Sequence, residues 1–209
     1  APRTVVSVLG YVGMGNFGDE YILATIDRRL RERVRGLSVV GVGENPMHTL
    51  RTRGIYSVTL EDKYVLDKVL GASSAALVMA GLLFDQGIRW SIGKAELVSS
   101  MAHSDLAGIA AYTELAYLND ARPVFYGIGA GPLDVAAGRA LVRLMGRVGA
   151  LFVTRDEATA NLIRECRVRE EQIAPRADVA FLGQVSPTEF VDRWFADERI
   201  DLARSRVVA

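Results

Sequence analysis

The stretch from Gly10 to Glu20, Gly-Tyr-Val-Gly-Met-Gly-Asn-Phe-Gly-Asp-Glu, constrains the fold more than any other part of this chain. An apolar run, Val5 to Leu9, leads into it, and Ile22, Ile26, Leu30 and Val34 leave it at steps of four. A short apolar run, a glycine-rich turn and a period near 3.6 predict a strand, a turn and a helix, the opening unit of a βαβ fold. Gly13, Gly15 and Gly18 also spell G-x-G-x-x-G in the context that a dinucleotide fingerprint requires. The charges argue against that ligand. A pyrophosphate needs free N–H groups at the helix start, and Asp19 and Glu20 stand there instead. Two carboxylates satisfy the helix dipole and repel a second anion. Glu44, after the next strand, could serve as a ribose-binding acid, so a NAD-type module stays open. In its simplest reading the turn is only tight, and Asp19 is only an N-cap.

Further strands and helices follow in alternation. Arg28, Arg29, Arg31, Arg33 and Arg35 crowd the end of the first helix, where cations suit the dipole, and are expected on a solvated face, with Gly36 as the stop. Leu37 to Val42 predicts a buried strand, and Asn45-Pro46 a break. A short helix and a short strand around Ile55 to Val58 fit residues 47–60. Lys63 to Leu70 reads as a helix closed by Gly71, and Ala75 to Met79 as another buried strand. Ala80 to Asp85 forms the next turn, and residues 86–101 a loop at the carboxyl edge of the sheet, where Trp90 could stack on a sugar or simply pack beneath the loop. A helix from His103 to Leu118 precedes the strand Val124-Phe125-Tyr126. Gly127 to Leu133 is read as a glycine turn, with Pro132 in the first turn of a helix striped by Leu133, Ala137, Leu141, Met145 and Val148. Ala150 to Val153 is the next strand, and Thr154 with Glu157 fits a capping box that leaves Arg155 unexplained.

Four of these segments together resemble the polysaccharide pyruvyl transferase family. They are Gly-Asn-Phe-Gly-Asp-Glu with Gly10-Tyr11 before it, the loop at residues 80–85, the run Gly127-Ile128-Gly129-Ala130-Gly131-Pro132-Leu133, and Arg155-Asp156-Glu157 with Ala177 to Phe181 after it. Met79-Ala80 departs from the glycine-richer turn of the family. The resemblance covers residues 10–181. It implies an α/β, Rossmann-like parallel sheet with helices on both faces, like the N-terminal lobe of a GT-B-type two-lobe transferase. Residues 1–182 would form that lobe, and 183–209 a linker with what reads as the first strand of a second lobe. The implied reaction moves pyruvate from phosphoenolpyruvate to a sugar or lipid-linked saccharide as a ketal.

That reaction needs a base for hydroxyl protons and cations for carboxylate and phosphate. Asp19 and Arg155 are the candidate catalytic residues. Gly15, Asn16, Gly18, Asp85, Trp90, Gly129, Gly131 and Asp178 are the candidate substrate-binding ones. A nucleotide-sugar glycosyltransferase lobe would share the fold and the crevice, and a non-catalytic relative would keep the fold alone.

Composition narrows the partners. The formal net charge is zero, which suggests neither nucleic acid nor an anionic membrane. No apolar stretch approaches the ~20 residues of a membrane span. His48 and His103 stand apart, and Cys166 is alone, so neither a metal nor another cofactor is expected. The single cysteine suits a reducing, cytoplasmic setting.

Overall fold

The computed structural model describes residues 4–59, 61–79, 82–83 and 106–183. In chain order the elements are β1 (Val5–Leu9), α1 (Phe17–Arg33), β2 (Ser38–Val42), α2 (Pro46–Arg53), β3 (Ser57–Val58), α3 (Lys63–Ala72), β4 (Ala75–Met79) and β5 (Leu82–Leu83). There follow α4 (Leu106–Leu118), β6 (Arg122–Ala130), α5 (Ala136–Arg147), β7 (Leu151–Thr154), α6 (Glu157–Glu165) and β8 (Ile173–Pro175), with 3-10 turns at Glu170–Gln172 and Val179–Leu182. Every strand pairing is parallel, in the order β3-β2-β1-β4-β6-β7-β8, and β5 pairs with the far end of β6.

Alternation along the strands builds a core on each face of the sheet. Val6 and Val8 of β1 and Leu77 and Met79 of β4 join Leu23 and Ile26 of α1. Leu9, Ala76 and Val78 point the other way and join Leu66 and Leu70 of α3, Ile109 of α4, Met145 of α5 and Ile163 of α6. Burying each of these large side chains is worth about 1.5–3 kcal/mol, which is why helices cover both faces. The one polar side chain facing in from the middle of β1, Ser7, shares a hydrogen bond of 2.9 Å with the Tyr112 hydroxyl of α4. Burial pushes the Tyr112 phenol well above its ordinary pKa. The chain is therefore an α/β, Rossmann-like parallel sheet, as the sequence predicts.

Several local expectations are corrected. Gly127 to Ala130 is not a turn; it continues β6, which runs through to Ala130. Gly127 takes φ 69° at an irregularity in the pairing of β6 with β7, and Gly129 lies opposite Leu82 of β5. With strands on both sides, the ladder satisfies backbone groups that a turn would leave to water. Pro132 precedes α5 rather than opening it, and the buried stripe of α5 is Gly138, Val142, Met145 and Gly146, with Ala137 exposed. Gly71 lies within α3, which ends at Ala72. Thr154 does not cap α6. Asp156 does, accepting a hydrogen bond from the Thr159 N–H at 2.7 Å. The Thr154 hydroxyl donates to the Asp156 carbonyl at 3.0 Å, and Glu157 pairs with Arg164.

Candidate functional site

The strand order reverses between β1 and β4. The chain moves outward from β1 through β2 to β3, then returns to the other side of β1 with β4. In open parallel sheets, ligands bind outside the carboxyl ends of the strands at such a reversal. The glycine-rich loop leaves β1 there.

Backbone contacts hold this loop against its neighbours. The Gly10 N–H donates to the Val42 carbonyl at 3.2 Å, and the Glu44 N–H donates to the Val12 carbonyl at 3.2 Å. Gly13 has φ 87°, and a Cβ there would lie 2.6 Å from the Asn45 carbonyl oxygen, so only glycine fits. Gly15, at φ 73°, faces open space. The Met79 side chain packs so close to Gly10 that a Cβ at Gly10 would lie 2.6 Å from its Cε. Met79 thereby fills the space beside the first loop.

The start of α1 is closed by its own side chains. Asn16 is the N-cap, accepting from the Gly18 N–H at 3.0 Å, so Asp19 is not the cap that the sequence suggests. Glu20 is 2 % exposed, and its Oε1 accepts the Gly13 N–H at 2.7 Å. Its Oε2 accepts from Arg53 Nε at 3.2 Å, so a helix two elements away completes the pair. Asp19 is released from capping. Burial, with the adjacent Glu20 charge as the second cause, raises its carboxyl above the ordinary range.

A second group of polar side chains stands at the carboxyl end of β7. The Arg155 N–H donates to the Ile128 carbonyl of β6 at 2.9 Å, and its guanidinium reaches Asp156 at 3.6 Å and Asp178 at 4.0 Å. Both ion pairs are loose and partly exposed, so the guanidinium retains donors for another anion. The hydrogen bonds from Thr159 hold the Asp156 carboxyl below the usual carboxylate range. The Thr159 hydroxyl also accepts the Ala130 N–H at 3.1 Å, which ties α6 to the glycine end of β6. Gly131, with φ 118°, lies against Leu162. Asp178 caps the Val179–Leu182 turn through the Ala180 N–H at 2.9 Å.

The two groups are connected through α1. Arg28 Nη2 and Arg29 Nε both donate to the Leu182 carbonyl, at 3.0 and 3.2 Å. The arginine cluster is thus more than a solvated face: it bolts the turn capped by Asp178 onto the helix that carries Asp19. Gly15 and Asn16 end the loop after β1, and Gly18 and Asp19 lie in the first turn of α1 that follows it. Gly131, Arg155 and Asp178 share the edge by β6 and β7, where Gly129 is buried within the strand. Asp85 and Trp90 lie outside the described residues. Sequence reading gave Glu20 only a dipole role and missed Arg53, because nothing local marks a partner 33 residues away. Among the described residues, no group of His, Cys, Asp and Glu has a metal-holding arrangement, and no helix is long and apolar enough to cross a membrane.

No protein-family model matches the chain, and no curated protein matches it. Among solved structures, a mutant of an acetyl-xylooligosaccharide esterase from Geobacillus Stearmophilus is similar over 99% of this chain and 98% of that one, at 13% identity and a TM-score of 0.35. A likeness that distant carries no argument about this chain's chemistry.

Proposed function

We propose that this chain is the acceptor-side domain of a cytoplasmic enzyme of the polysaccharide pyruvyl transferase type. It would move pyruvate from phosphoenolpyruvate to two hydroxyls of a saccharide as a cyclic ketal. The observation that carries the reading is Asp19, a carboxyl at the strand-order reversal whose burial and Glu20 neighbour raise its proton affinity. A base that must take a proton from a sugar hydroxyl gains from such a shift toward working pH. In the balanced reaction a proton adds to the methylene carbon of phosphoenolpyruvate, two C–O bonds form at its central carbon, and inorganic phosphate leaves. Both hydroxyl protons are lost, and Asp19 would receive one of them. Arg155 would pair with the donor's carboxylate or phosphate, because a planar guanidinium binds either bidentately. Its partners here, Asp156 and Asp178, hold it loosely enough to be exchanged for a ligand.

The test is phosphoenolpyruvate-dependent release of phosphate, with formation of an acid-labile ketal on saccharide acceptors, by the protein and by Arg155→Ala. We expect the variant to melt with the wild type and to lose donor affinity by on the order of 1.5–3 kcal/mol. Unchanged turnover in a variant that melts normally removes Arg155 from the site. Stabilisation by a nucleotide sugar and not by phosphoenolpyruvate would favour a glycosyltransferase lobe instead.

A further inference from the structure

The glycine loop after β1 carries the G-x-G-x-x-G spacing of a phosphate-binding turn, yet its Gly13 N–H is already taken. Glu20 is buried to 98 % of its surface, with one carboxylate oxygen on the Gly13 N–H and the other on Arg53 Nε. A backbone N–H and a guanidinium converging on two oxygens of one anion is the arrangement by which proteins hold a phosphoryl group. The side chain of Arg53 is 31 % exposed, so the pair faces solvent on the arginine side. At the start of α1 the Gly18 N–H is held by Asn16.

We infer that Glu20 is a specificity-determining residue: it is a built-in anion that occupies the cradle formed by the Gly13 N–H and Arg53, and so excludes pyrophosphate-bearing ligands from the glycine loop. This inference is independent of which group the site transfers. It concerns what the loop refuses, and it would stand if the pyruvyl reading failed. Its physical basis is charge and geometry together. A phosphate entering beside Glu20 meets a like charge and finds the Gly13 N–H and the Arg53 Nε–H already engaged. Removing the carboxylate leaves a cavity with an unpaired guanidinium and an unpaired N–H, each of which gains from an anion.

The experiment titrates inorganic pyrophosphate into the full chain while the Gly13 amide is followed by ¹H–¹⁵N NMR. Glu20→Ala, Glu20→Gln and Glu20→Ala with Arg53→Ala are compared with the wild type, and melting curves identify the folded variants. The wild type should show no saturable shift. Glu20→Ala should gain affinity by about tenfold or more, the size expected of a charge-assisted contact. Glu20→Gln, which keeps an acceptor for Gly13 but no charge, should gain less, and adding Arg53→Ala should abolish the gain. If Glu20→Ala does not fold, the Gln variant is read alone, and a gain there supports the assignment. A saturable shift at Gly13 in the wild type overturns it. So does the absence of any gain in a folded variant, or a gain that survives the loss of Arg53.

Discussion

Two glycine-rich stretches, Gly10 to Gly18 and Gly127 to Gly131, look alike as strings and fold differently. The first leaves the sheet as a loop, bonded to Val42 at the carboxyl end of β2 and to Glu44 just beyond it, and is closed by Glu20. The second remains a strand to Ala130, with β5 and β7 pairing on either side. The lesson concerns neighbours rather than glycine content. Glycine permits a turn but does not impose one, and strands pairing on each side win because they satisfy backbone groups that a turn would leave to water. The first stretch leads directly into Asp19 of α1, and the second anchors Arg155 through Ile128. One region therefore supplies the proposed base, and the other fixes the proposed anion-binding arginine.

The largest expected effect separates the two regions by chemistry. Asp19→Asn should lower turnover by about 10²–10⁴-fold, the usual contribution of a positioned base, without unfolding the protein. Steady-state rates on the variant check this, and an active Asn variant removes Asp19 as base.

Next come the glycines that differ in what a methyl would meet. Gly13→Ala would place its Cβ against the Asn45 backbone at φ 87°, and should cost on the order of 3 kcal/mol or more. Gly127→Ala, at φ 69°, would meet the Val179 side chain, which can shift where a backbone cannot, so about 2 kcal/mol is expected. Gly15→Ala meets nothing and bears only the left-handed conformation, about 1 kcal/mol, or a fall in Tm of about 2–4 °C. Denaturant melts of the three variants test the ranking. Equal losses at Gly13 and Gly15 would show that packing on Asn45 contributes nothing.

The smallest effect is on stability against pH. The raised Asp19 pKa means that the folded state holds its proton more tightly than the unfolded chain does. That contribution is fully present below the ordinary carboxyl value of 3.8 and is lost as pH rises through the raised value. Asn does not titrate, so Asp19→Asn should gain in Tm relative to wild type as pH climbs through that window, and the difference should be flat below it. A difference independent of pH would mean that burial and Glu20 do not act on this carboxyl.

Much of the fold was legible because its signals are local. Apolar runs of strand length, helical periods after them and turn residues between them sufficed to place β1, α1, β2, β4 and the alternation of strands with helices. A residue such as Gly36, in the left-handed conformation just beyond α1, acts within a few positions of itself. The candidate site was legible only by residue type and resemblance. Asp19, Arg155 and Asp178 could be named, but Asp156 was passed over as the cap of α6 because Thr154 with Glu157 fitted a better-known spacing.

What the sequence determined by itself is therefore the alternating βα pattern, since burial periodicity and turn chemistry are written in consecutive residues. Tertiary structure decided the rest. It turned Gly127 to Ala130 into sheet, because strands from distant segments flank it. It chose Asn16 over Asp19 as the cap and sent Glu20 inward to Gly13 and Arg53. It joined Arg28 and Arg29 to the Leu182 carbonyl across more than 150 positions. A carboxylate's partner is set by which donor folding brings within about 3 Å, and no spacing along the chain encodes that.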